Sequence, residues 1–359
     1  MARYIEIYED IKQKIIDGSY GLNDKIPSKR VTADNYDVSI ITIEHAYELL
    51  MEEGYIQARE RSGYFVIYDD RPLNKALSLE KSIRKISEEK EETEKSEIDL
   101  SPEAFPFSIY SKTARRVMTD YGEEIMVRSP NFGCEILRKE ISGYLARYRG
   151  IEANSDQIII GSGSEYLYGL IVQALGRDHK YGIETPSYQK IAQVYKAEGV
   201  ECEGLPLGRD GIESEALWQS EAEILHISPY RSYPSGVTAT AAKKREYLRW
   251  TREKDRVIIE DDFESEFSPS RKAEETLFAI DDEDRVIYVN TFTKTIGSSM
   301  RMAYMVVPYL MLEKFRERIG FYTCTVPTFD QYIVAGLIKN GDFERHINRV
   351  RRAMRKKKQ

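Results

Sequence analysis

The sequence is poor in the residues that mark several functional classes. It has 3 cysteines (Cys134, Cys202, Cys324), far apart and odd in number, which excludes a disulfide framework and reads as reduced thiols. Its 4 histidines show no ligand spacing, so no metal centre is expected. No uninterrupted apolar run reaches membrane-spanning length, and the N-terminus carries no basic-then-apolar signal. These absences lead to the expectation of a cytoplasmic protein with no membrane contact. Positive charge is also short: Lys and Arg number 53 against 60 Asp and Glu, for a net charge of −7. Bulk affinity for nucleic acid is thereby excluded, and any such contact must come from a local patch. What the chain does have is length, 359 residues, and 41% hydrophobic residues, enough for two or three domains with real cores.

Three regions differ in pattern. In residues 1–68, Ile5, Tyr8, Ile11 and Ile15 recur at helical spacing and Gly18 and Gly21 close that helix. A second short helix can start after Ser28. A third starts at Ser39, with Ile43, Ala46, Tyr47 and Leu50 on one face, and stops at Gly54. Two β-prone runs, 55–58 and 64–67, flank a turn at 60–63. Three helices and a hairpin predict an α+β winged helix-turn-helix. Residues 69–97 are rich in Lys and Glu and low in apolar content, as in a charged, solvated linker. From residue 98 onward, short apolar runs at 157–160, 181–183, 224–227, 256–259 and 286–289 alternate with helical segments. That alternation predicts an α/β domain with a mostly parallel sheet. The basic end, residues 351–359, reads as the outer part of a helix.

A helix-turn-helix lays its second helix in the major groove while flanking groups hold phosphates. Here Ser39 and Thr42 open that helix, Lys29 and Arg30 precede it, and Arg59, Arg61 and Gly63 lie in the wing. The unit nonetheless holds eight basic against twelve acidic residues. The residues alone therefore leave two readings open, DNA contact and a winged helix used for protein contact.

The second domain has a constellation of another kind. Lys294 follows the apolar run 286–289, with Thr291 and Thr293 before it and Arg301 seven residues after. Asp261 ends another run, in Glu260-Asp261-Asp262-Phe263, where ligands of open α/β sheets bind. Gly161-Ser162-Gly163-Ser164 follows a strand and opens a helix, which suits a phosphate cradle. Tyr188 offers a ring for stacking. An amine, a carboxylate, a phosphate cradle and an aromatic face are what pyridoxal 5'-phosphate requires. Taken singly, a lysine after a strand is usually solvated, a Gly-Ser-Gly turn is usually only a turn, paired aspartates often cap a helix, and a tyrosine often only packs. The ordered set is what carries the reading.

Two resemblances sharpen this. Ile26-Pro27-Ser28-Lys29-Arg30, the segment 38–47, Glu53-Gly54-Tyr55-Ile56 and Ser62-Gly63-Tyr64-Phe65-Val66 resemble the GntR family of winged-helix regulators. Residues 98–350 resemble the fold-type I aminotransferase domain. The segment 259–267, with Pro229 and Pro234-Ser235-Gly236, is similar to the MocR group, which joins the two. The resemblance implies a homodimeric transcription regulator of a double-stranded DNA operator, with an aminotransferase-like sensor for an amine or amino-acid effector. It implies Lys294 as the Schiff-base lysine and Asp261 as partner of the pyridine nitrogen. Ser162, Gly163, Ser164, Thr291, Thr293 and Arg301 are implied for the phosphate, and Tyr188 for the ring face. Three departures stand out. The group usually has Arg where this chain has Ile40, Tyr where it has Phe263, and His-Gln where it has Arg231-Ser232. The family also continues into a C-terminal lobe that supplies a carboxylate-binding arginine, while this sequence ends at Gln359, so a domain lacking that lobe is expected. Two further readings stay open: an aminotransferase with an accessory DNA-binding domain, and a remnant that binds DNA without the cofactor.

Overall fold

The computed structural model describes residues 3–59, 62–68, 105–268, 270 and 274–358. The charged stretch 69–97 and Arg61 lie outside them. The chain divides into two compact units, residues 1–99 and 100–359.

In the first unit, α1 (Arg3–Ile16) leads to a two-residue β1 (Lys25–Ile26), then α2 (Lys29–Tyr36), α3 (Ile40–Glu52) and the hairpin β2 (Ile56–Arg59) and β3 (Gly63–Val66). The buried stripe of α1 is Ile7, Tyr8, Ile11 and Ile15. It therefore starts at Ile7 and not at Ile5, which is half-buried. That stripe packs with Ile43, Ala46, Tyr47 and Leu50 of α3, the i, i+3, i+4, i+7 face expected of an amphipathic helix. β1 pairs antiparallel with β3 and extends the hairpin to three strands. At two residues it is too short to leave a periodic signal in the sequence.

The second unit is built on a seven-stranded sheet. Its elements in chain order are α4 (Phe107–Tyr121), α5 (Glu135–Arg149), β4 (Ile158–Gly161), α6 (Ser164–Leu175), β5 (Tyr181–Thr185), α7 (Gln189–Ala197), β6 (Cys202–Pro206), α8 (Ser214–Gln219), β7 (Ile224–Ile227), α9 (Ala241–Arg252), β8 (Val257–Asp261), α10 (Leu277–Ile280), β9 (Val286–Thr291), β10 (Ala303–Val306), α11 (Leu312–Ile319), α12 (Thr328–Lys339) and α13 (Asp342–Lys358). The strand order is β4-β10-β9-β8-β7-β5-β6, and β10 runs antiparallel to both its neighbours. The central strands are buried almost throughout and mostly apolar because helices cover both faces. One face packs on α6, α7 and α11 through Leu167, Ile171, Tyr195 and Phe315. The other packs on α5, α12 and α13 through Leu137, Ile141, Leu337 and Phe343. The edge strand β6 alternates weakly and contains Gly204 and Pro206, so apolar periodicity passes over it.

Candidate functional site

Strand β8 ends on Asp261, at the edge of the sheet where the loops after the parallel strands emerge. Its carboxylate is buried and accepts the Tyr168 hydroxyl at 2.5 Å. Tyr168 lies on α6, and burial beside Asp261 pushes its phenol well above the usual range, so it stays a donor. His226, on β7, brings its Nε2 to 3.6 Å from the same Asp261 oxygen, and its Nδ1 lies 2.5 Å from the Tyr195 hydroxyl. His226 Nε2 itself is buried without a hydrogen-bond partner among the described residues. Pairing of His226 with Ile259 across the sheet puts the imidazole on the face that Asp261 shares two residues later. Tyr168, His226 and Tyr195 were not among the residues expected from sequence.

The Gly161-Ser162-Gly163 turn leads from β4 into the N-terminus of α6. Gly163 has φ +107°, and a Cβ there would lie 3.0 Å from Arg301 Nη2. The backbone conformation thus favours glycine, while the Arg301 guanidinium lies close above it. Arg301, itself left-handed at φ +41°, donates from Nη2 to Glu165 Oε2 at 3.2 Å. Ser164 lies beside the Tyr168 hydroxyl one turn along α6, which connects the turn to Asp261. Thr291 and Thr293 hold each other at 2.8 Å through their hydroxyls, and Thr291 Oγ1 also accepts the Thr293 N–H. Ala303 of β10 pairs with both Thr291 and Gly161, so the threonine hairpin and the glycine turn flank one strand end. Exposed N–H groups at a helix start, hydroxyls and a guanidinium together suit an anion. Gly163→Ala is expected to lower the domain's stability by about 1–3 kcal/mol in urea unfolding, because that φ, ψ region is nearly closed to other residues. A variant as stable as the parent would show that the turn tolerates a side chain.

Lys294 follows β9 and is exposed. Its Nζ donates to Glu264 Oε1 at 3.0 Å and sits 4.7 Å from the Phe263 ring centroid. Arg231 Nη1 reaches the other Glu264 oxygen at 3.5 Å. Two of the departures, Phe263 and Arg231, therefore surround the lysine. Tyr188 stands at the N-terminal boundary of α7 and meets Tyr233 edge-on at 6.3 Å. Lys294 contacts Phe263 and Glu264, and Tyr188 contacts Tyr233 and the Lys190 side chain; among the described residues no contact of either with Asp261 is seen. The loop that carries Arg231 is tied down by Glu184, which accepts the Ser232 hydroxyl at 2.5 Å and the Ser228 N–H at 3.2 Å. Burial pushes the Glu184 carboxyl up to about 7.

In the first unit, Ser39 caps α3 by accepting the Thr42 N–H at 3.2 Å, and the two hydroxyls lie 2.8 Å apart. Lys29 is ion-paired with Glu44. Arg30 is exposed. Arg59 lies over the Phe65 ring and reaches Asn23 at 3.4 Å. Gly63 has φ +110°, and a Cβ there would stand 3.0 Å from Lys25 Cε, so the wing's turn needs glycine. Among the described residues no helix is long and apolar enough to cross a membrane.

Comparison with known proteins accounts for both units. Residues 3–66 match the family of bacterial regulatory proteins, gntR family, and residues 112–359 match aminotransferase class I and II. The HTH-type transcriptional regulator YdeL of Bacillus subtilis, itself uncharacterized, is 32% identical over 99% of this chain and 77% of its own length. The probable rhizopine catabolism regulatory protein MocR of Rhizobium meliloti is 25% identical over 97% of this chain and 74% of its own. The pyridoxine biosynthesis regulator PdxR of Corynebacterium glutamicum is 25% identical over 98% and 76%. Among solved structures, an archaeal alanine:glyoxylate aminotransferase superposes with a TM-score of 0.64 at 24% identity, over 74% of this chain and 68% of that one. The kynurenine aminotransferase of Pyrococcus horikoshii gives 0.65 at 24% identity, over 75% and 70%. Those two likenesses establish the fold, and the class I and II aminotransferase family is dependent on pyridoxal phosphate. The chain is a member of the MocR-type regulators, DNA-binding transcription regulators that join a GntR winged helix to an aminotransferase-like domain.

Proposed function

We propose that the second domain holds pyridoxal 5'-phosphate on Lys294 and Asp261 and that its occupancy sets how the winged helix engages an operator. In this reading residues 1–68 bind DNA, 69–97 link, and 98–359 sense an amine or amino acid, in a cytoplasmic homodimer. The observation that carries it is the Asp261 carboxylate, buried at a strand end between the Tyr168 hydroxyl and a His226 Nε2 that has no hydrogen-bond partner among the described residues. The Tyr168 hydroxyl satisfies one Asp261 oxygen, but a buried carboxylate is fully compensated only by a cation as well, and a protonated pyridine nitrogen would be such a partner. The glycine turn supports the fit, since at φ +107° Gly163 lets the chain turn into α6 with Arg301 close beside it.

The residues divide the work. Lys294 is the covalent anchor. Ser162, Gly163 and Ser164 turn backbone N–H groups and hydroxyls toward a phosphate, with Thr291, Thr293 and Arg301 opposite. Tyr188 is the candidate for the ring face. The chemistry supplied by the bound group is an electrophilic carbonyl carbon and an electron-withdrawing ring. Glu264 holds the Lys294 ammonium until the lysine is needed, and Arg231 shares that carboxylate, which lowers the cost of releasing the lysine. Phe263 lacks the hydroxyl that a tyrosine would offer, so it supports the lysine only through its ring. On the DNA side, Lys29, Arg30, Ser39, Thr42, Arg59, Arg61 and Gly63 are the proposed contacts.

The test is spectroscopic. The purified full chain, titrated with pyridoxal phosphate, should develop a visible absorption band that saturates near one equivalent. Lys294→Ala should show none, while its far-UV circular dichroism is unchanged, because the exposed lysine supports no core packing. A parent protein without the band would refute the reading.

A further inference from the structure

Helix α3 opens with two isoleucines that the fold does not use. Ile40 is 49% and Ile41 65% exposed, whereas Ile43, Ala46, Tyr47 and Leu50 supply the buried face. The polar groups beside them have partners within the unit, and Lys29, Ser39 and Thr42 among them are proposed to reach phosphates, not base edges. Ser39 Oγ caps the helix against Thr42, and Glu44 is paired with Lys29. The first turn of α3 therefore presents mainly methyl groups. In a helix-turn-helix, that turn is the part that meets base edges in the major groove. The apolar feature exposed there is the thymine 5-methyl group, which no other standard base carries. Exposed Arg30, Lys25 and Arg59 can contact phosphates, which fixes register without carrying sequence information. Residues 1–68 hold eight basic against twelve acidic residues, so sequence-independent attraction is small and base contacts take a larger share.

We infer that Ile40 and Ile41 are specificity-determining residues of this regulator and read thymine methyl groups in each operator half-site. This rests on the DNA-binding reading of the winged helix and names what its recognition helix selects.

The experiment uses the full chain. Duplexes are selected from a random-sequence library, and each thymine of the enriched half-site is then replaced by uracil, which pairs identically but lacks the methyl group. Affinity should fall about fourfold for each methyl that is read, from roughly 0.8 kcal/mol per buried carbon. An Ile40→Ser, Ile41→Ser double variant should bind thymine and uracil duplexes equally, while Ile40→Val, Ile41→Val keeps the discrimination. Both pairs are exposed, so melting temperatures should match the parent. An enriched site that binds equally well with uracil throughout overturns the inference and leaves DNA binding intact. So does discrimination that persists in the serine variant, or a serine variant that changes only self-association. Failure to enrich any site overturns the inference together with the reading beneath it.

Discussion

Arg149→Met is expected to destabilise the second domain by about 3–5 kcal/mol, the usual cost of removing one member of a buried ion pair. Arg149 ends α5 and pairs with Asp262, and both side chains are almost wholly enclosed, at 3% and 4% exposure. Asp262 also accepts the Tyr288 hydroxyl at 2.8 Å. Around the pair lie two more acids. Glu266 accepts the Tyr144 hydroxyl at 2.8 Å, and Glu260 accepts the N–H groups of Leu277 and Phe278 at 2.8 and 2.9 Å. One guanidinium thus serves a cluster of carboxyls on both sides of Asp261 in the chain, Glu260 before it and Asp262 and Glu266 after it. Methionine has a comparable apolar reach, so little packing is lost and the electrostatic cost dominates. Urea unfolding followed by circular dichroism measures it, and a loss below about 1 kcal/mol would mean that the cluster does not depend on Arg149. Glu260 and Glu266 can take up protons, so the penalty should shrink in acid.

Raising the pH from 5 to 7.5 is expected to lower the stability of the parent protein, by several kcal/mol in order of magnitude. Glu184, Glu260 and Glu266 are all pushed up to about 7. Burial is the main cause for each, followed for Glu260 and Glu266 by the Asp262 charge. In the unfolded chain these carboxyls titrate near 4.5. The folded state binds the extra protons in between, so its advantage is complete below about 4.5 and is lost as pH climbs through about 7. His346 works in the opposite sense. Burial and the neighbouring Arg349 hold it down to about 4, so it adds stability as pH rises toward 6.5. Three carboxyls outweigh one imidazole, and the net slope stays negative. Glu184→Gln isolates one contribution: the amide cannot ionise, so the slope should flatten. Equal slopes in parent and variant would show that Glu184 ionises normally in the folded protein.

The parts of the fold that sequence reveals are those with local signatures. Tyr47 and Leu50 repeat at helical spacing, Gly63 marks the wing turn, and Asp261 and Lys294 each follow an apolar run. Those signals place the cofactor candidates at strand ends. The partners that give them an environment have no local signature. Tyr168 lies 93 residues from Asp261, and with its neighbours Leu167 and Leu170 it reads as ordinary core. His226 sits inside the apolar run 224–227, where a lone histidine looks like packing. Arg149 is 113 residues from Asp262 and resembles a solvated helix terminus. The Ile5 stripe failed by two residues because Ile5 and Ile7 are both apolar and only packing against α3 selects between them. Phe263 and Arg231 were visible as departures, but only the tertiary structure brings them together around Lys294 through Glu264.

The coupling between the two units is the central claim, and it is measured most directly by anisotropy of a selected duplex titrated with the full chain at fixed, moderate salt. The titration is run with and without pyridoxal phosphate, for the parent and for Lys294→Ala. The expected result is an operator affinity that changes with pyridoxal phosphate in the parent and not in the variant. Identical affinities under all four conditions would contradict it.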